Sequence, residues 1–106
     1  MSERANEEEL ARELAEELRR LRIEDVVIQT LITISSIGYR RLGLTEDTKE
    51  DRDLEQARLA IDSMTALTPI LESVVPEELF RDFNQSVASM QLAYARAAGE
   101  EADGEG

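Results

Sequence analysis

Leucines recur along the first part of the chain at the spacing of one face of an amphipathic helix. Their steps of four, four and three residues leave the other positions to glutamate, arginine and alanine. We therefore predict a charged helix over residues 7–22, capped by Asn6 because Glu9 follows three positions later. This helix has to cover its leucines on the core, on a second copy or on a partner. The leucines, which form our candidate interface, are Leu10, Leu14, Leu18 and Leu21.

The next segment is the most apolar part of the chain, and it is rich in β-branched side chains that favour strands by propensity. Its polar positions nevertheless follow steps of four, three and four residues through Gln29, Thr33, Ser36 and Arg40. Such a narrow polar stripe predicts a helix over residues 24–42 that is covered on several sides. The sequence leaves open whether this helix continues the first one.

Two later apolar stripes predict helices over residues 53–73 and 76–98. Gly43 fits a left-handed residue at the end of the preceding helix. Pro69 predicts a kink or an early end of the helix that contains it, because proline removes a backbone hydrogen bond. Gly99 predicts the end of the last helix.

The composition removes several classes of chemistry. Among 106 residues there is no histidine, cysteine or tryptophan, so the usual nucleophilic, redox and transition-metal side chains are missing. A net charge of −12 disfavours direct contact with nucleic acid, whose phosphates repel an acidic surface. The apolar segments are too short for a membrane span, and the N-terminus lacks the pattern of a signal peptide. We expect a cytoplasmic protein that is not an enzyme, uses no cofactor or metal, and contacts no membrane.

Three features of residues 31–98 occur together. An apolar helix ends in Leu42-Gly43, an Ala-Arg-x-x-Ile-Asp pattern covers residues 57–62, and a final helix carries Tyr94. In these features the chain resembles a family of small all-helical bacterial proteins known only as a domain of unknown function. The resemblance implies a bacterial protein with a helical fold, and it implies no activity.

Acidic side chains are the remaining candidates for chemistry. Asp62 follows the core position Ile61 in a predicted helix, so we consider it a partly buried carboxylate that binds a ligand. The alternative is a structural ion pair with an arginine such as Arg58. The acidic loop over residues 45–55 could bind a metal ion, although its carboxylates do not follow the spacing of a calcium loop.

The sequence thus predicts an all-α protein, a small bundle of three principal helices plus an N-terminal amphipathic helix. We divide the chain into the amphipathic helix at 1–22, a core domain at 23–98 and a disordered acidic tail at 99–106. The expected function is a protein-interaction or oligomerisation module, either a homodimer or an adaptor for a protein partner. The alternative is a small-molecule or metal-ion binding protein that uses Asp62 and the 45–55 loop.

Overall fold

The structure, a computed structural model, describes residues 3–105, except for the side chain of Glu105. Within this range the chain is helical and forms no strand, which confirms the predicted all-α class. No helix among these residues has both the length and the apolar character that crossing a membrane requires. The α-helices are α1 (Glu3–Arg20), α2 (Ile23–Leu42), α3 (Leu54–Leu67) and α4 (Glu77–Glu105).

Gly43 and Arg52 cap the C-terminal end of α2. Gly43 adopts φ 60° and ψ 38°, in the left-handed region that the sequence predicted, and its N–H bonds the carbonyl oxygen of Arg40. The guanidinium of Arg52 lies 2.8 Å from the carbonyl oxygen of Leu42 and 3.0 Å from that of Gly43. Since the last carbonyl groups of a helix have no intrahelical donor, Arg52 supplies the hydrogen bonds that this end needs. The sequence did not predict this role.

Helices α2, α3 and α4 contact one another and share an apolar core. A first cluster lies between the three helices and the short 3₁₀ turn that follows α3. A smaller cluster lies near the C-terminal end of α2. The fully buried apolar side chains of the first cluster are Leu31, Met64, Leu71 and Met90, and the buried residues of the second are Leu42, Ala57 and Ala97.

Gly38 allows α2 to approach α3 and α4 closely. A Cβ atom added there would lie 2.6 Å from Cε of Met90 and 2.8 Å from Cβ of Ala60. Both distances are well below the separation of about 3.5–4.0 Å at which carbon atoms attract. Glycine is therefore required at this position by packing, since its φ is not positive.

Pro69 ends α3 early. The α-helix stops at Leu67 rather than at residue 73, and the chain tightens into a 3₁₀ turn over Thr68–Leu71. This outcome follows from the missing N–H of proline, which cannot donate to the carbonyl group one turn earlier. The predicted extent of 53–73 for a single α-helix is therefore wrong at its C-terminal end.

Helix α4 does not end at Gly99 but continues to Glu105. A glycine inside a helix costs only about 1 kcal/mol relative to alanine, and the alanines and glutamates around it favour a helix. Glu100 is also held by Arg52, with a distance of 2.6 Å between nitrogen and oxygen. The predicted disordered tail is thus wrong for residues 99–105, and Gly106 lies outside the described residues.

Helix α1 stands apart from this core. None of its residues is buried, and it makes no extensive contact with another helix. The Cα radius of gyration is 19.1 Å, whereas a compact chain of this length has about 13 Å. Leu21 and Arg22 separate α1 from α2, and Arg22 has extended backbone angles, so the two helices are not continuous. Asn6 lies inside α1 and does not cap it, contrary to the prediction.

Candidate interaction surface

The four predicted leucines form one exposed apolar stripe, which we call the leucine stripe. Three of them lie on α1, and Leu21 directly follows its last residue. Their exposed fractions are 64% for Leu10, 59% for Leu14, 62% for Leu18 and 50% for Leu21. Large apolar side chains are scattered over most protein surfaces, but four at regular helical spacing form a continuous patch. The structure therefore leaves this stripe uncovered within the single chain.

Charge is distributed unevenly along α1. Residues 3–9 carry four glutamates and one arginine, whereas residues 19–22 carry three arginines and no acid. This polarity suits the helix macrodipole, which favours acids at the N-terminus and bases at the C-terminus. Among residues 3–105, no ion pair includes Glu7, Glu8 or Glu9. Glu7, Glu8 and Glu9 are therefore left without an ion-pair partner in the part of the chain that the structure describes.

A second exposed apolar surface lies along α2 and the adjoining part of α3. It consists of two shallow hollows that share Ile34 and have mostly apolar linings. Several of its side chains are large and about half exposed, as in Ile37 and Leu59. We call this surface the apolar groove, and we define it by Leu21, Val26, Thr30, Thr33, Ile34, Ile37 and Leu59. The two hollows are also lined by the polar side chains Asp25, Gln29, Gln56 and Ser63.

The threonines of the groove are less polar than their residue type indicates. The hydroxyl of Thr30 donates to the carbonyl oxygen of Val26 at 2.8 Å, and that of Thr33 donates to Gln29 at 3.0 Å. These bonds give each hydroxyl hydrogen an acceptor within the same helix, so it needs none from solvent or from another element. The fourteen residues from Val26 to Tyr39 also contain no charged side chain, although 34% of the chain is charged. The outer face of α2 is therefore suited to contact another apolar surface.

Asp62 does not have the environment that we considered for it. The side chain is exposed, and no ion pair among residues 3–105 includes it. The reason is its position, since α3 buries the face formed by Ala57, Ala60, Ile61 and Met64. Asp62 is turned by about 100° from Ile61 on the side away from Ala60, which takes it off this face. The expectation of a buried carboxylate is therefore wrong.

Three of the six carboxylates in the predicted acidic loop are engaged with separate partners. The hydroxyl of Thr45 donates to Asp47 at 2.7 Å, and this hydrogen bond lowers the pKa of the Asp47 carboxyl. Asp51 pairs with Arg40 at 2.9 Å, and Asp53 accepts a backbone N–H bond at the start of α3. Within residues 3–105, no group of three or more potential ligands is arranged to hold a metal ion.

Comparison of the chain with family models, curated proteins and solved structures found no match. The resemblance over residues 31–98 to a domain of unknown function therefore stays a prediction.

Proposed function

We propose that the chain is a non-enzymatic association module that forms homodimers through the leucine stripe of α1. One observation carries the proposal, namely that four regularly spaced leucines stay half or more exposed while α2, α3 and α4 bury a core without them. In this proposal three helices form the core, and α1 is an appended contact element.

The energetics of α1 support an intermolecular role. Full burial of one leucine side chain stabilises a structure by about 1.5–3 kcal/mol, and most of that stabilisation is unrealised for the stripe in a single chain. A helix that packs on nothing is marginally stable in water, because most helical stability in proteins comes from tertiary packing. Contact with another molecule would remove the leucines from water, and the same contact would stabilise the helix.

The alternative of a small-molecule or metal-binding protein has no comparable support. Asp62 is exposed on α3, and three of the six loop carboxylates, those of Asp47, Asp51 and Asp53, are engaged with a hydroxyl, an arginine and a backbone N–H group. These contacts stabilise the loop and the start of α3, and they do not converge on a common point.

The proposal is tested by the mass in solution. We expect the chain to sediment at twice its monomer mass of 11.9 kDa and to dissociate on dilution. The double variant Leu14→Arg, Leu18→Arg should sediment as a monomer with an unchanged core. Leu92→Arg is the matched control, because Leu92 is an exposed leucine on α4, outside the stripe, and this variant should stay dimeric.

Two results would contradict the proposal. A wild-type chain that stays monomeric at every accessible concentration would exclude self-association. A dimer that survives the double variant but is lost in Leu92→Arg would place the contact on α4 instead of α1.

A further inference from the structure

The leucine stripe and the apolar groove have matching lengths. The stripe runs from Leu10 to Leu21 and the groove follows α2 from Val26 to Ile37, which is twelve residues, or eleven steps along the chain, in each case. At a rise of 1.5 Å per residue, each surface is about 16 Å long. One helix laid along the other would therefore bring the two apolar surfaces into register over their whole length.

Charge decides the relative direction of the two helices. Helix α2 begins with Glu24 and Asp25 and ends with Arg40 and Arg41, so its polarity is the same as that of α1. A parallel arrangement would place acids beside acids and arginines beside arginines. An antiparallel arrangement places the glutamates of residues 7–9 beside Arg40 and the arginines of α1 beside Asp25. It also opposes the two helix dipoles.

We propose that α1 of a second copy lies antiparallel in the apolar groove, so that two copies exchange their α1 helices around a two-fold axis. This inference rests on the proposed function. Leu10 of one copy then faces Ile37 of the other, and Leu14 faces Thr33. Leu21 belongs to both surfaces, so the two Leu21 side chains lie near the axis. The contact is isologous, as the closed symmetry of a homodimer requires.

This exchange covers both exposed apolar surfaces at once. Direct pairing of two α1 helices would cover the leucine stripes but would leave the groove exposed to water. Ile37 and Leu59 would then stay about half exposed. The connection between α1 and α2 permits the exchange. It consists of Leu21 and the extended Arg22, and no extensive contact holds α1 against its own core.

The first experiment compares two isoleucine variants by sedimentation. Ile37→Arg places a charge in the groove and should convert the dimer to a monomer, as the stripe variant does. Ile70→Arg is the matched control, because Ile70 is similarly exposed but lies outside the groove, and its dimer should persist. Circular dichroism of Ile70→Arg should show wild-type helix content. That of Ile37→Arg should decrease by no more than the contribution of α1, because α1 without a partner is only marginally helical while α2, α3 and α4 keep their core.

The second experiment uses the absence of cysteine in the chain, which makes single-cysteine variants unambiguous. Glu7→Cys and Arg40→Cys proteins are mixed and treated with a short bis-maleimide, which should link the two chains in the mixture and not in either protein alone. Glu7→Cys mixed with Asp25→Cys should not crosslink, because antiparallel packing separates these positions by roughly 20 Å along the helix.

The outcomes separate the inference from the function on which it rests. Three results together would show that α1 pairs with α1. The dimer would survive Ile37→Arg, it would be lost in the stripe variant, and the Glu17→Cys protein would crosslink to itself without a second variant. The inference would then fail while the proposed function stands. Crosslinking of Glu7→Cys to Asp25→Cys would overturn the antiparallel direction. A wild-type chain that is monomeric throughout would overturn both.

Discussion

The replacement of glycine by alanine should have opposite effects at two positions of this fold. Gly38 and Gly99 both lie inside helices, so alanine gains about 1 kcal/mol of helix propensity at each of them. The surroundings differ, because a Cβ at Gly38 would meet Met90 and Ala60 within 2.8 Å, whereas a Cβ at Gly99 would have no neighbour within 4 Å.

The magnitudes follow from this difference. Inserting a methyl group into a packed core costs about 1–3 kcal/mol, and Ala60 offers no flexible side chain that could move away. Gly38→Ala should therefore destabilise the protein by up to about 2 kcal/mol after the gain in propensity is subtracted. Gly99→Ala should stabilise the protein by about 1 kcal/mol. Because the propensity cancels between the variants, the difference of about 1–3 kcal/mol measures the packing cost alone.

Urea denaturation followed by far-ultraviolet circular dichroism measures both free energies of unfolding. The comparison is made at one protein concentration, because association raises apparent stability by mass action. Equal slopes against urea concentration would show that both variants unfold from the same state. If Gly38→Ala raised the transition midpoint as much as Gly99→Ala does, the close approach of α2 to α3 and α4 would be refuted.

Two further predictions concern the core and the end of α2. Leu31→Ala should lower the free energy of unfolding by about 2–5 kcal/mol because Leu31 is fully buried, and Ile34→Ala should lower it less because Ile34 is half-buried. Equal losses of unfolding free energy in urea denaturation would contradict the packing of α2. Arg52→Met should cost about 1–3 kcal/mol, since it leaves carbonyl oxygens at the end of α2 without their donor. Arg58→Met, at an exposed position, should keep the free energy of unfolding within about 0.5 kcal/mol of wild type. If thermal melts showed that Arg58→Met destabilises the protein more than Arg52→Met does, the capping role of Arg52 would be excluded.

The sequence predicted helices better than it predicted where they end. The polar stripe of α2 outweighed the strand propensity of its β-branched residues, because the polar residues recur with the period of a helix and single-residue propensity contains no information on spacing. Gly43 was also recognised, since a left-handed residue after a helix has a strong local signal. Gly99 failed as an end signal because the same residue type, without a positive φ, costs a helix only about 1 kcal/mol.

Contacts that depend on distant residues could not be predicted. Arg52 caps α2 from ten residues beyond Leu42 and holds Glu100 across the fold, a role that no local pattern encodes. Asp62 was judged from its neighbour Ile61, whereas its exposure depends on which side of α3 faces α2 and α4. Asp62 is turned by about 100° from Ile61 on the side away from the buried Ala60, which is enough to move its carboxylate from the interior to water.

The leucine stripe could be predicted from the sequence, whereas the groove could not. The difference follows from hydrogen bonds that polar side chains of the groove form within their own helix. Leucines on a charged helix stand out because their neighbours are ionised, so the stripe could be found from spacing alone. The groove contains Thr30 and Thr33, which a polarity pattern assigns to solvent. In the structure their hydroxyl groups donate to carbonyl oxygens of their own helix, and this supplies the hydroxyl hydrogens with acceptors other than water. The run of fourteen uncharged residues in a chain this acidic is the signal that remains, because an exposed helix face that faces only water has no reason to exclude charge.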